Sequence, residues 1–159
     1  MKKLLIVAAI LVAGIAANAA SFKWSAANIY ASNGTDKYTG VVTLYAYLST
    51  AEASTAIAVS TVTASSAGAV AATTFSNDSL AGGNAYNFYF VIEDGDKIFT
   101  SDPKTVSAQA TLTSNVTFGN MASATQNSAN WVGGSVPEPT SGLLLLMGVA
   151  GLALKRKRA

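Results

Sequence analysis

The strongest constraint on the fold lies in residues 80–103, where Tyr86, Phe88, Phe90 and Ile92 stand at every second position. Side chains two apart share one face of a strand, so this run predicts a strand with a single apolar face. Asp94-Gly95 follows at once, a dipeptide suited to a tight hairpin because both positions tolerate positive φ. Residues 97–101 then return as the partner strand. A chain with this segment at its centre is committed to an antiparallel sheet that covers a core with one face.

The remaining segments extend that picture. Residues 22–30 read as a first strand ended by Asn33-Gly34, the dipeptide best suited to a tight hairpin turn, and residues 37–48 as a second strand. In the second strand Val42, Leu44, Ala46 and Leu48 fall on one face and Thr43, Tyr45 and Tyr47 on the other. Ser49-Thr50-Ala51-Glu52 fits a capping box, which predicts a short helix over about 50–59. Ile57, Val59, Thr61 and Thr63 nevertheless alternate like a strand, so the helix end is open. Residues 69–75 and 105–118 supply the last strands. Residues 122–135, made of Ser, Ala, Thr, Gln and Asn with a glycine pair, carry little apolar surface and read as a flexible linker. The expected fold class is mainly β: an antiparallel β-sandwich with one short helix.

The spacing of Leu80, Gly82-Gly83 and Tyr86 resembles the tyrosine corner that leads into strand F of fibronectin type III domains, without that family's usual proline in the turn. The resemblance covers about 25 residues and supports the sandwich class, not membership of the family. It implies a bond from the Tyr86 hydroxyl back to the backbone near Leu80.

Both ends of the chain differ in character from the middle. Met1-Lys2-Lys3 is a short positive region, residues 4–16 are apolar, and Ala17-Asn18-Ala19 has the small-x-small form that signal peptidase recognises. Residues 1–19 are therefore expected to be a signal peptide, with the mature chain starting near Ala20. The overall net charge of +2 reflects the ends, because six of the ten basic residues lie there. Over residues 20–135 only Lys23, Lys37, Lys97 and Lys104 oppose seven carboxylates, a net charge of −3. Such a surface disfavours a nucleic-acid partner, which needs clustered basic side chains. The chain has no cysteine and no histidine. Its core must stand without disulfides, and imidazole-based metal sites and nucleophile–His triads are excluded.

At the other end, Pro137-Glu138-Pro139 precedes an apolar run over 142–154 and a basic tail, Lys155-Arg156-Lys157-Arg158. The apolar run, about 20 Å as a helix, is shorter than the ~30 Å hydrocarbon core. Snorkelling basic side chains lengthen its reach, and their charge marks the cytoplasmic side. The two prolines fix φ and remove backbone donors, which keeps the motif extended beside the membrane. In order and position these features resemble the PEP-CTERM sorting signal, over residues 136–159. The resemblance implies recognition by an exosortase, a membrane-embedded cysteine protease or transpeptidase, with cleavage near the motif. It also implies release or transfer to the surface of a Gram-negative cell that makes exopolysaccharide. Residues 142–154 would hold the chain in the membrane until then.

Candidate chemistry in the middle of the chain, the ectodomain of residues 20–121, is sparse. Glu93, Asp94 and Asp96 suggest a calcium site, but a hairpin tip accounts for them and the twelve-residue calcium-loop pattern is absent. Glu52 is accounted for by the capping box. Asn33, Asn77 and Asn115 head glycosylation sequons that an Asn/Thr-rich composition produces by chance. Tyr45, Tyr47 and Tyr89 would form an exposed aromatic platform for stacking on sugar rings if their strands are neighbours. No catalytic residue, metal ligand or cofactor is expected. The expected function is that of a non-enzymatic surface or extracellular-matrix protein associated with exopolysaccharide or biofilm; the alternative is a carbohydrate-binding module displayed at the cell surface.

Overall fold

A computed structural model of the chain describes residues 19–133. In chain order these form β1 (Ala19–Ala27), β2 (Val41–Leu48), β3 (Ile57–Thr63), β4 (Val70–Ala81), β5 (Ala85–Asp94), β6 (Lys97–Thr100), β7 (Lys104–Ser107), β8 (Ser114–Asn120), a four-residue helix α1 (Ala122–Thr125) and β9 (Trp131–Gly133). The strands make two sheets. One has the order β4-β1-β8, and the other runs β3-β2-β5-β6-β9 with β7 also paired to β5.

Alternation in the strands decides what each sheet buries. Phe22, Trp24 and Ala26 of β1, Val42, Leu44 and Ala46 of β2, and Tyr86, Phe88, Phe90 and Ile92 of β5 are all buried. The Phe22 and Phe88 rings lie 4.9 Å apart and those of Trp24 and Phe90 6.5 Å apart, so the sheets face each other across one core. Each large side chain buried this way contributes ~1.5–3 kcal/mol, which lets the domain stand without cross-links. The central hairpin forms as expected: Asp94 pairs with Lys97, and Gly95 adopts φ 64° at its tip.

Several expectations are corrected. The strands on either side of Asn33-Gly34 are not hairpin partners, because β1 and β2 belong to different sheets. The turn is real, with Gly34 at φ 71°, but it closes only an isolated bridge between Tyr30 and Lys37. The chain uses that corner to cross from one layer to the other, with Ile29 and Tyr38 buried beneath it. Pairing is antiparallel throughout except between β1 and β8, which run parallel.

The predicted helix over 50–59 shrinks to a 3₁₀ turn at Ala53–Thr55, and Glu52, at its N-cap, makes no side-chain cap bond. The β-branched residues from Ile57 onward pair with β2 instead. Ladder pairing and packing thus override a local capping signal.

The linker expected over 122–135 is ordered structure as far as Gly133. Its sparse anchors, Met121 beside it and Thr125 and Trp131 within it, are buried, and β9 pairs with β6. Three buried side chains spread over eleven residues escape a compositional reading. The domain therefore extends past the expected boundary at residue 121. Residues 17 and 18, the apolar run and the whole sorting segment lie outside the described residues. Among the described residues no helix is long and apolar enough to cross a membrane.

Candidate functional site

β2 and β5 pair antiparallel with Tyr45 opposite Tyr89 and Tyr47 opposite Asn87. The alternation that turns Leu44, Ala46, Phe88 and Phe90 into the core turns these tyrosines outward. The Tyr45 and Tyr89 rings stack at 5.3 Å with planes 9° apart, and Tyr47 meets Tyr89 edge-on at 6.2 Å and 62°. All three are half-buried. Burial, and after it the neighbouring Tyr45 and Tyr47, raises the Tyr89 hydroxyl above the ordinary tyrosine value. At neutral pH it is an uncharged donor and acceptor.

The cluster forms one wall of an open groove of about 560 Å³, whose other side includes Ile98, Thr100 and Pro103. Cross-strand register explains the opposite wall: Thr100 stands opposite Val91 and Ile98 opposite Glu93, on the same outer face. Ser101 then takes over the ladder. Its amide donates to the Phe90 carbonyl and its hydroxyl accepts from the Phe90 amide, both at 3.0 Å. These two hydrogen bonds to β5 fix the chain two residues before Pro103, which lies at the rim. Among the described residues no charged side chain lines the groove.

The three tyrosines predicted from sequence are therefore brought together. Val91, which shares their face, carries the same period-two signal as Tyr89; Ile98, Thr100 and Pro103 become wall residues only through the β5–β6 pairing and carry no local signal. Of the carboxylates at the hairpin tip, Asp94 has a structural partner: its Oδ2 accepts from the Ser32 amide at 2.7 Å. Among the described residues no group of three or more metal-ligating side chains occurs. The Tyr86 hydroxyl accepts from the Ala81 amide at 2.8 Å, next to Leu80.

Of the residues assigned to processing, Ala19 opens β1 opposite Ala81, and the adjoining Ala20 is buried. Ala17, Pro137, Glu138, Pro139 and the Lys155–Arg158 tail lie outside the described residues. No curated protein and no solved structure matches the chain, so the fibronectin likeness rests on the one corner. Residues 135–158 match the PEP-CTERM protein-sorting motif, which implies an exported protein, transiently anchored in the membrane and processed by an exosortase.

Proposed function

We propose that this protein is a non-enzymatic component of the cell surface or extracellular matrix that associates with exopolysaccharide. In this reading a signal peptide is removed after Ala19, the exosortase cuts near Pro137-Glu138-Pro139, and the β-sandwich is left outside the cell. The observation that carries the binding role is the Tyr45–Tyr89–Tyr47 cluster along an open groove whose described lining residues are all uncharged. Pyranose rings present apolar C–H faces that bury well on aromatic rings, while their hydroxyls stay solvated or bond to neighbouring side chains. The same cluster supports the second reading, a displayed carbohydrate-binding module.

Mass spectrometry of the protein from its own host tests the export route. The expected mature chain begins at Ala20 and has lost the basic tail; Arg158 retained in every molecule overturns it. Fractionation of the culture then tests the binding role. The mature protein is expected with the polysaccharide, and the Tyr45→Ala/Tyr47→Ala variant in the soluble fraction. Equal retention of that variant removes the tyrosine face from the account.

A further inference from the structure

We infer that the tyrosine groove is one end of an elongated channel that takes the interior of a neutral polysaccharide chain; this rests on the sugar-stacking reading above. A second hollow, about 420 Å³, adjoins the first on the same sheet face and shares Tyr45 and Val91 with it. It continues along β2 past Thr43 to Val41, with Tyr38 and Gly40 at its far end. From Tyr47 to Val41 the strand advances six residues, ~20 Å at the usual rise. Neither hollow is a closed cavity. A channel of that length, open rather than pocket-shaped, suits several consecutive sugar rings better than a single one.

The far hollow depends on a close backbone approach. The Tyr38 hydroxyl is shared between the Val41 and Glu93 carbonyls, at 2.9 Å each. A Cβ at Gly40 would run into the Tyr38 ring, so glycine there lets the phenol approach the backbone this closely.

The lining selects against acidic sugars. Among the described residues that line the two hollows, Glu93 is the one charged residue, and it is negative. A uronate or sulfate seated there would lose hydration with no cation to meet it and would face the net −3 of residues 20–135. Hydroxyls from Thr43, Thr100, Tyr45, Tyr47 and Tyr89 match instead the donors and acceptors of an uncharged glycan.

The test uses the mature protein and isothermal titration against neutral glucans, galactans and mannans, their oligosaccharides of graded length, the free hexoses, and a polyuronate. Affinity is expected to rise about tenfold or more from disaccharide to hexasaccharide, ~1.4 kcal/mol, with no measurable polyuronate binding. Tyr45→Ala and Val41→Glu alter different ends of the channel, and each is expected to weaken the hexasaccharide about tenfold. Val41 is 52% exposed, so its replacement leaves the core intact. Length-independent affinity, or a Val41→Glu variant that binds like wild type, overturns the channel while the tyrosine site stands. Polyuronate binding as tight as that of the neutral chains overturns the ligand class. Binding to none of the glycans overturns both the channel and the sugar-stacking role beneath it.

Discussion

The Trp131 indole donates its Nε1–H to the Thr125 carbonyl at 2.7 Å, and the same ring packs against Phe99 at 5.6 Å. Thr125 fastens two further segments. Its hydroxyl accepts from the Tyr30 amide at 3.0 Å and donates to the Met121 carbonyl at 2.8 Å. One buried threonine thus ties the first corner, the helix α1 and the last strand together.

Trp131→Ala is expected to cost ~3–5 kcal/mol, the usual penalty for truncating a buried aromatic. Trp131→Phe keeps the contact with Phe99 and loses one hydrogen bond, with an expected cost of ~1 kcal/mol. Urea unfolding measures both. An unchanged midpoint for the alanine variant would show that β9 contributes nothing to the domain.

The Tyr86 hydroxyl accepts from the Ala81 amide at 2.8 Å across the connection between β4 and β5, while its ring is buried against Phe22 and Phe88. Tyr86→Phe preserves the packing and strands one backbone donor. A loss of ~1 kcal/mol is expected, the usual net worth of one hydrogen bond, here to a part-buried amide. Thermal unfolding of the variant at the wild-type midpoint would mean that water replaces the hydroxyl without penalty.

What was legible in the sequence divides along physical lines. The period-two runs in β2 and β5 and the Asp94-Gly95 turn specify local geometry, and the structure keeps them. Partnership between segments is not local. Asn33-Gly34 encodes a turn but not whether its flanking strands pair, and here the core places them in opposite sheets. Residues 57–63 satisfy a strand period and follow a helix-capping pattern, and only the free edge of β2 decides between them. The tyrosine cluster was foreseen on the condition that β2 and β5 are neighbours, a condition that no residue in either strand states. The sorting motif needs no such condition. It is a contiguous sequence signal, so residues 135–158 carry it without reference to the fold.

Gly68 adopts φ 65° in the loop between β3 and β4, and its carbonyl accepts from the Ile29 amide at 2.7 Å. A Cβ there would collide with the Ile29 carbonyl oxygen, a backbone atom that cannot swing aside. Gly68→Ala combines that clash with a left-handed backbone, so a loss of at least ~1–3 kcal/mol is expected. Gly83, at φ 88° with open space around it, is the control. Denaturation of Gly83→Ala isolates the backbone cost alone, and equal losses at the two positions would remove the role given to the Ile29 contact.

Alkaline pH offers a test of the outer face. Burial is the largest cause of the raised hydroxyl pKa of Tyr89, followed by Tyr45 and Tyr47; for Tyr38 it is burial, followed by Asp94. Both groups therefore keep their protons in the folded chain at a pH where the unfolded chain, near the ordinary value of about 10, releases them. Because the unfolded state then binds fewer protons, stability falls as pH rises. The contribution is fully present below about pH 10 and is lost between there and the folded pKa values. Tyr89→Phe removes one of these protons without disturbing the core, since Tyr89 lies on the outer face. Its stability at pH 7 is expected within ~0.5 kcal/mol of wild type. Above pH 10 its unfolding free energy is expected to decline less steeply, with one late-titrating phenolate missing from the ultraviolet absorbance. Identical alkaline slopes for the two proteins would show that burial does not hold the Tyr89 proton as the structure implies.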